Sequence, residues 1–366
     1  MRNPAQITSR LILAAVATLV ALVLAELICR LAFPEWAPMS NDRKFWVYDP
    51  VLGWFHEPGE KGRFWHPDFD VQVKINQAGL RDDDYATEKT PGVFRILVLG
   101  DSFAWGFGVE KDEIFCERIE QRNTTTELIN AAVSGYGTDQ EYLFLKHYGL
   151  DFHPDAVLLV LHPNDLTNNA KALEYWHAKP VFRINENGDL ELHNSPVPKP
   201  NLTHRLGKWV LTRTWLYARL YRVLLKPILD RPAPPSTQPS PGSRSADTVE
   251  APAKNTPSSP LGITAKLIVE IRNLCRENNA EFALTSVPCS HELEDNLAEL
   301  CSQQSIPYLP LSQALSNADK PVTFPHDCHW TPYGHQVAAD AIEAFIARLG
   351  WLSSDGDSEP KEKKAP

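Results

Sequence analysis

The apolar residues of this chain recur in patterns that alternate between strand and helix. Short continuous apolar runs, typical of strands buried on both faces of a sheet, predict strands at residues 95–99, 127–132, 156–161 and 281–287. Apolar residues spaced as on one face of a helix predict helices at residues 113–122, 139–148, 261–278, 292–303 and 333–349. Strands that alternate with helices in this way are joined by right-handed βαβ crossovers. The pattern therefore predicts an α/β fold built on a parallel sheet.

An apolar segment at residues 11–31 predicts a transmembrane anchor. A helix of about 20 apolar residues spans the ~30 Å hydrocarbon core of a bilayer. Arg2 and Arg10 precede the segment, so the positive-inside rule keeps residues 1–10 in the cytoplasm and places the remainder on the extracytoplasmic side, either periplasmic or external. A signal peptide cleaved at the weak site Val23-Leu24-Ala25 is the alternative, and it exports the same domain. A buried core helix fits poorly because the segment is apolar on every side.

The remaining sequence divides into two parts of one α/β domain and the segments around them. In order, these are an ordered lead-in at 45–90, the first part of the domain with a helical insertion at 91–229, a linker at 230–260, the second part at 261–350 and a tail at 351–366. The lead-in is predicted to be ordered because apolar and polar residues alternate at 71–76, as in a half-buried strand. The linker is dense in Pro and Ser and the tail is charged, so both are predicted to be disordered.

The helical insertion ends in a basic segment at residues 209–229. The segment contains no acidic residue, and Asp230 follows it directly. Its basic residues, together with Lys208 just before it, are Arg213, Arg219, Arg222 and Lys226. We expect this helix to pack on the α/β domain with its basic side in solvent, because its apolar stripe is no wider than a core-facing stripe. The alternative is an interfacial helix that rests on anionic lipid near the anchor.

Composition and charge narrow the class of protein. The chain is 43% hydrophobic, which suffices for a packed core, and its net charge of −10 argues against nucleic acid as a partner. The six cysteines are Cys29, Cys116, Cys275, Cys289, Cys301 and Cys328. None forms a CxxC pair, so a zinc ribbon is not predicted. Four of them fall in the last hundred residues, where an oxidising compartment would allow a disulfide, but the sequence does not pair them.

Candidate chemistry begins at Ser102, in the motif Gly-Asp-Ser-Phe directly after the first predicted strand. Open α/β sheets carry their sites beyond the carboxyl ends of the strands, which is where this serine falls. The motif alone could be an ordinary turn. However, NAAVSGYG at 130–137 follows the second strand, HPND at 162–165 follows the third, and DCHW at 327–330 lies near the C-terminus.

These four motifs, in this order, resemble the sequence blocks of the SGNH (GDSL-like) hydrolase superfamily, which centre on a Ser, a Gly, an Asn and a His. The resemblance covers residues 94–165 and 262–348, and the LGW and INQAGLR runs of the lead-in are similar to those of exported bacterial members. It implies a three-layer α/β/α sandwich of flavodoxin-like type. It also implies a serine esterase that works through an acyl-serine intermediate without a cofactor.

The resemblance further implies roles for individual residues. Ser102 would be the nucleophile, His329 its general base and Asp327 the acid that orients His329. The backbone N–H groups of Ser102 and Gly135 and the side-chain amide of Asn164 would form the oxyanion hole. The chemistry requires these types: a serine hydroxyl needs a base, a histidine is mostly neutral at pH 7, and a carboxylate fixes its tautomer. One oxyanion donor is typically worth about 100-fold or more in rate.

The sequence departs from the family pattern at two positions. Asp327 lies two residues before His329, whereas the family more often places its acid three residues before the histidine. The DxHW form is similar to that of related exported members and of the alginate O-acetyltransferase group. The third block usually has Gly before its Asn, and here Pro163 stands there.

Simpler explanations exist for several of these residues. Gly135 fits an ordinary turn, and Asn164 or Asp165 fits the cap of a helix that starts near residue 166. We expect His335 to be a helix-start or surface histidine and His162 a lining residue. A metal site among His326, Asp327, Cys328, His329 and His335 is disfavoured, because no second group of ligands completes it.

The sequence thus predicts a membrane-anchored serine esterase. An exported position suggests an ester of the cell envelope, such as an O-acylated glycan or a lipid. One alternative is an O-acyltransferase that moves an acyl group to a polysaccharide hydroxyl, and another is an inactive scaffold that only binds. The acyl group, the alcohol and the oligomeric state are left open.

Overall fold

The computed structural model describes residues 4–32, 40–41, 45–86, 88–174, 177–202, 214–220 and 261–352. They belong to two compact units, one made of Met1–Ser40 and Asn201–Ala253 and the other of Asn41–Pro200 and Lys254–Pro366. The predicted linker at 230–260 and most of the predicted tail and basic helix lie outside the described residues.

The elements follow the predicted order. The strands are β1 Ser40–Asn41, β2 Trp46–Asp49, β3 Gly53–His56, β4 Lys61–His66, β5 Phe69–Lys74, β6 Phe94–Gly100, β7 Thr126–Asn130, β8 Ala156–Leu161, β9 Leu173–Glu174, β10 His177–Ala178, β11 Val181–Ile184, β12 Leu190–His193, β13 Glu281–Ser286 and β14 Tyr308–Pro310. The helices are α1 Pro4–Ala32, α2 Ser102–Trp105, α3 Phe115–Arg122, α4 Thr138–His147, α5 Asp165–Asn168, α6 Trp215–Leu220, α7 Gly262–Glu277, α8 His291–Gln304, α9 Ser312–Ser316 and α10 Pro332–Arg348. Each strand and helix predicted above for the α/β domain agrees with these bounds to within about two residues.

Five parallel strands form the central sheet in the order β14-β13-β8-β6-β7. In the register of the sheet, Leu97 of β6 lies between Ile129 of β7 and Val157 of β8. The strand β6 is therefore flanked on both sides, and its carboxyl end lies between the carboxyl ends of two neighbours. A ligand site at that edge can draw on the loops of three adjacent strands.

Helices cover both faces of this sheet. Successive residues of a strand point to opposite faces, so Ile96 and Val98 join one apolar cluster while Leu97 and Leu99 join the other. Residues of α3, α9 and α10 pack in the first cluster, and residues of α4, α7 and α8 pack in the second. This arrangement confirms the predicted three-layer α/β/α sandwich, and it explains why the strands are apolar without interruption.

The lead-in forms an antiparallel hairpin of β4 and β5 that packs into the first cluster. Its alternation is visible in the structure, since Val71 and Val73 are buried while the residues between and beside them are exposed. Farther along, the buried Arg81 donates hydrogen bonds to the carbonyls of Trp105, Gly106 and Val109. The lead-in therefore holds the backbone immediately after α2.

The other unit contains the apolar helix α1. Its stretch Ser9–Ala32 has a mean hydropathy of 2.7 and is long enough to cross a membrane, although a signal sequence has the same properties. The described part of the predicted basic helix, α6, is bound to α1: the N–H groups of Trp215 and Leu216 donate to the two carboxylate oxygens of Glu26, at 3.0 and 2.9 Å. The partner seen for α6 is thus α1, whereas the sequence favoured packing on the α/β domain.

Candidate active site

Ser102 is the first residue of the helix α2, which begins just after the strand β6. Asp101 caps this helix, because its Oδ1 accepts a hydrogen bond from the N–H of Phe103 at 2.9 Å. The turn is so tight that a Cβ at Gly100 would lie only 2.8 Å from the Cβ of Ala104. The glycine and the cap together place the Ser102 hydroxyl at the carboxyl edge of the sheet.

His329 reaches this hydroxyl from a loop near the C-terminus. Its Nε2 lies 2.7 Å from Ser102 Oγ, although the two residues are 227 positions apart. On the other side of the ring, Nδ1 is hydrogen-bonded to Asp327 Oδ1, which also accepts the backbone N–H of His329 at 2.9 Å. Burial by itself raises the pKa of Asp327, but its hydrogen bonds and the charge of His329 outweigh that effect and lower the pKa. A hydroxyl, an imidazole and a carboxylate thus form one hydrogen-bonded line.

Aromatic rings hold the imidazole in position. Phe107 stacks on His329 with ring centres 4.1 Å apart, and Phe103 lies 4.9 Å from it. Phe103 in turn packs edge-to-face against the buried Trp330. These contacts fix the plane of the imidazole and shield part of it from water, which strengthens the hydrogen bonds to Ser102 and Asp327.

Gly135 and Asn164 lie in the loops that follow β7 and β8, the strands on either side of β6. Gly135 follows β7 and has a φ of 85°, a conformation that favours glycine. Among the described residues, no acceptor is present for the N–H groups of Ser102 or Gly135. The Asn164 side chain does not cap α5, and its buried Oδ1 has no partner within the described part of the chain. The carboxyl edge of the sheet therefore carries all four motif residues, with two N–H donors left available.

A contact from the lead-in, which the sequence did not reveal, holds the loop of His329. Asp68, at the turn between β4 and β5, accepts hydrogen bonds from His326 through the backbone N–H at 3.0 Å and through Nδ1 at 2.6 Å. The Nδ1 of His66 lies 3.6 Å from the same carboxylate. Phe69 also packs on Phe324 of the loop. No local pattern could have predicted these contacts, since Asp68 and His326 are 258 residues apart.

A group of buried acids under the serine was also not predicted. Asp139, Glu141 and Asp165 are at most 1% exposed. Lys179, also buried, donates to both Asp139 oxygens at 2.8 and 2.6 Å. Burial, together with the charge of neighbouring carboxylates such as Asp101, raises the pKa of Glu141 and of Asp165 well above the ordinary range. Burial thus favours the uncharged form of both acids.

The structure decides between the simpler roles for the two other histidines. His335 is in the first turn of α10, as expected, but it is buried rather than on the surface, stacked on Phe115 and packed against Trp330. Burial lowers its pKa to about 3. His162 stacks on Phe103 at 4.8 Å, which agrees with a lining position beside the site.

The group Asp327, Cys328 and His329 has ligand atoms within 4.8 Å of one another. Both ring nitrogens of His329 are already engaged, one with Asp327 and the other with Ser102. A cation would have to displace one of these partners before the imidazole could bind it. The arrangement therefore favours proton transfer over metal binding.

One family model and several solved structures are similar to this chain. Residues 96–342 match the family model of the GDSL-like lipase/acylhydrolase. Among solved structures, the chain is similar to a member of the lipolytic protein G-D-S-L family from Veillonella parvula DSM 2008 (10% identity, TM-score 0.40, covering 70% of this chain and 100% of that one). It is also similar to a lipase/acylhydrolase from Enterococcus faecalis (12%, 0.39, 72% and 100%) and to a psychrotrophic esterase from Pseudoalteromonas sp. (12%, 0.38, 70% and 97%). No curated protein gives a significant match.

Proposed function

Since the chain belongs to the GDSL-like lipase/acylhydrolase family and is a hydrolase of ester bonds, we propose that Ser102 is its nucleophile, His329 its general base and Asp327 the residue that orients the base. The observation that carries this proposal is the 2.7 Å contact between Ser102 Oγ and His329 Nε2. A base must lie within hydrogen-bonding reach of the proton it removes, and this pair meets that condition.

The reaction then proceeds through an acyl-enzyme. Ser102 Oγ attacks the ester carbonyl carbon while His329 takes the hydroxyl proton, and the carbonyl electron pair moves onto oxygen. When the carbonyl re-forms, the alcohol leaves with the proton from His329. Water repeats these two steps on the acyl-serine and releases the acid. Asp327 keeps Nδ1 protonated throughout, so that Nε2 is the atom that exchanges the proton.

The negative oxygen of each intermediate needs donors. We assign this role to the N–H groups of Ser102 and Gly135 and to the side-chain amide of Asn164, which come from the loops after three adjacent strands. The two N–H groups make no bond to another described residue, which supports their availability to substrate. Donors held in place before the reaction stabilise the charge without reorganising.

We further propose that α1 is retained as a membrane anchor and that the α/β domain lies on the extracytoplasmic face. The contact between Glu26 and α6 supports retention, because α1 and a segment far along the chain are tied together at that point. Arg30 adds to it, bonded to Glu26 at 2.8 Å and lying 4.8 Å over the Trp215 ring. The mass of the protein in the membrane fraction tests retention, since cleavage after Ala25 would remove 25 residues of the 366.

Topology is tested by a cysteine introduced in the linker at residues 231–260. We expect a membrane-impermeant thiol reagent to label it in intact cells, with the parent chain as the control for native cysteines. Labelling only after lysis would contradict the proposed orientation. An extracytoplasmic domain favours an envelope ester as the substrate, either an O-acylated glycan or a lipid.

The form Asp-Cys-His-Trp at 327–330 favours one second candidate, acyl transfer to a glycan hydroxyl, because the alginate O-acetyltransferase group has a similar motif. Both reactions share the acyl-Ser102 intermediate and differ in the acceptor. Loading the enzyme from p-nitrophenyl acetate with and without added polysaccharide separates them: free acetate indicates hydrolysis, and acetylated glycan indicates transfer.

Labelling with a fluorophosphonate tests the site itself. Intact mass should show one adduct on the wild-type chain and none on Ser102→Ala, while Ser134→Ala, at the same sheet edge, should keep its adduct. Equal labelling of wild type and Ser102→Ala would remove the assignment of the nucleophile. An absence of labelling on the wild type would instead favour a binding role.

A further inference from the structure

His162 has no part in the proton transfers described above, yet it contacts the elements on both sides of the oxyanion hole. It lies two residues before Asn164, and its Nδ1 is 3.2 Å from the backbone nitrogen of Asn164. The ring stacks on Phe103 at 4.8 Å with an angle of 19° between the planes. Because stacking fixes the plane of the ring, Nδ1 is held facing the Asn164 backbone.

This contact determines which nitrogen of the neutral ring carries the proton. A backbone N–H can only donate, so Nδ1 must be unprotonated to accept it, and the proton of the neutral ring lies on Nε2. If Nδ1 takes up a proton, both groups become donors and the hydrogen bond to Asn164 is lost. The hold on the Asn164 backbone therefore exists only while His162 is neutral.

Asp101 offers the protonated ring another partner. Its Oδ2 lies 3.7 Å from His162 Nδ1. Asp101 is 1% exposed, and this oxygen has no hydrogen-bond partner within the described ranges. A buried carboxylate oxygen without a donor is costly, and a small rotation of the imidazolium would satisfy it. Nδ1 thus has two alternative partners, Asn164 when neutral and Asp101 when charged.

The other titratable groups around this pair do not compete for the proton. Burial raises the pKa of Glu141 and of Asp165 well above the ordinary range, which favours their uncharged forms. Asp139 is paired with Lys179. His329 lies on Phe103, the ring on which His162 also stacks, and its own partners are Ser102 and Asp327. Asp101 is therefore the acceptor left for a protonated His162.

We propose that His162 is a positioning residue for Asn164. The neutral ring accepts a hydrogen bond from the Asn164 backbone N–H and so orients the side-chain amide toward the oxyanion. The protonated ring donates to Asp101 instead, and the hydrogen bond to Asn164 is lost. The inference rests on the proposed function, because it requires Asn164 to be an oxyanion donor. It adds a second titrating histidine to the activity, one that acts without exchanging a proton with the substrate.

Two substitutions in the full-length chain, purified in detergent, separate the acceptor from the packing of the ring. His162→Phe keeps an aromatic ring against Phe103 but has no acceptor. His162→Asn loses the stacking but places Oδ1 where Nδ1 was, so it can still accept the N–H of Asn164. The readouts are kcat and KM for p-nitrophenyl acetate, with the midpoint of thermal unfolding as the check on folding.

We expect His162→Phe to lower kcat by about 10- to 100-fold with KM changed less than about threefold, since the loss of one oxyanion donor costs about 100-fold or more and this change only loosens one. His162→Asn should stay within about threefold of wild type above pH 8. If His162→Asn is as impaired as His162→Phe, or more so, then packing rather than the acceptor matters and the proposal is wrong. Wild-type activity in both variants would also overturn it.

The pH profile supplies a second, independent readout. In wild type, protonation of His329 removes the base and protonation of His162 loosens one oxyanion donor. Where both protonate, the logarithm of kcat/KM should therefore fall on the acid side with a slope greater than one. His162→Asn removes one titration and should give a slope of one. Identical slopes would contradict the switch. Failure of the proposed function looks different, because wild type and Ser102→Ala would then have the same activity whatever stands at position 162.

Discussion

Ser102 and His329 face each other across the site, but the two regions that carry them are held in different ways. Ser102 follows a buried strand, and its position depends on neighbours within a few residues: Asp101 caps the helix and Gly100 allows the tight turn. His329 lies on a loop that is closed by local backbone bonds, from Phe324 N–H to His329 O and from Thr331 N–H to Val322 O. The same loop is also held by Asp68, more than 250 residues away in sequence. The contacts that aim the nucleophile are thus mostly local, whereas the loop of the base adds a contact with a distant part of the chain.

This difference has a physical reason. A parallel strand with both faces buried is rigid, so the position of the residues directly after it is well defined. Within the described residues, the loop of His329 has no neighbouring strand on either side to hold it in this way, so contacts with other parts of the chain add to its own few hydrogen bonds. The lead-in provides that support here, through the Asp68 carboxylate and through Phe69 packed on Phe324.

The largest expected effect tests whether the two regions act as one catalytic unit. Ser102→Ala and His329→Ala should each lower kcat by at least about 10³-fold, and the double variant should be no slower than either single variant, because residues that act in one step are not additive. Turnover of p-nitrophenyl acetate checks this. Additive losses would show that the hydroxyl and the imidazole act independently.

The next effect probes the local support of the serine. Gly100→Ala brings a Cβ to within 2.8 Å of the Ala104 Cβ, and we expect it to lower the free energy of unfolding by about 1–3 kcal/mol. Gly100→Ala combined with Ala104→Gly should recover most of that loss, although Val160 still lies close. Urea unfolding measures both. No recovery would place the strain at the Val160 backbone and not at Ala104.

The third effect probes the long-range support of the base. Asp68→Asn removes the carboxylate that holds the His326 N–H groups, and we expect kcat to fall about tenfold because a misplaced base transfers its proton less effectively. Asp70→Asn is the matched control in the same hairpin, since Asp70 is exposed and pairs only with Arg63 among the described residues. Equal activities for the two variants would mean that the loop does not need the lead-in.

The last prediction concerns acid stability on the side of the base. The folded-state pKa of His335 is about 3, below the ordinary histidine value, so between pH 6 and 4 the unfolded chain binds a proton at this position that the folded chain does not. Stability therefore falls as pH falls, by up to about 1.4 kcal/mol per pH unit from this group. His335→Gln should flatten the dependence of unfolding free energy on pH, measured by urea unfolding between pH 6 and 4, and an unchanged dependence would contradict the prediction.

Prediction from the sequence was most successful where burial leaves a clear apolar pattern. The strand from Phe94 to Gly100 is apolar throughout because both of its faces are covered, and a run of this kind is recognisable without a structure. For the basic segment this kind of pattern is less informative, since an apolar stripe shows that a helix packs on something but does not identify the partner. The observed partner of its described part is α1, through Glu26.

By itself, then, the sequence determined the order of strands and helices, the α/β class and the four motifs beyond the strand ends, because each of these depends on residues close together in the chain. Only the tertiary structure decided that Asp68 supports the loop of His329, that His335 is buried, and that His162 lies beside Asp101. Contacts of that kind join segments far apart in sequence. They exist only once the whole core has packed, so local patterns carry no record of them.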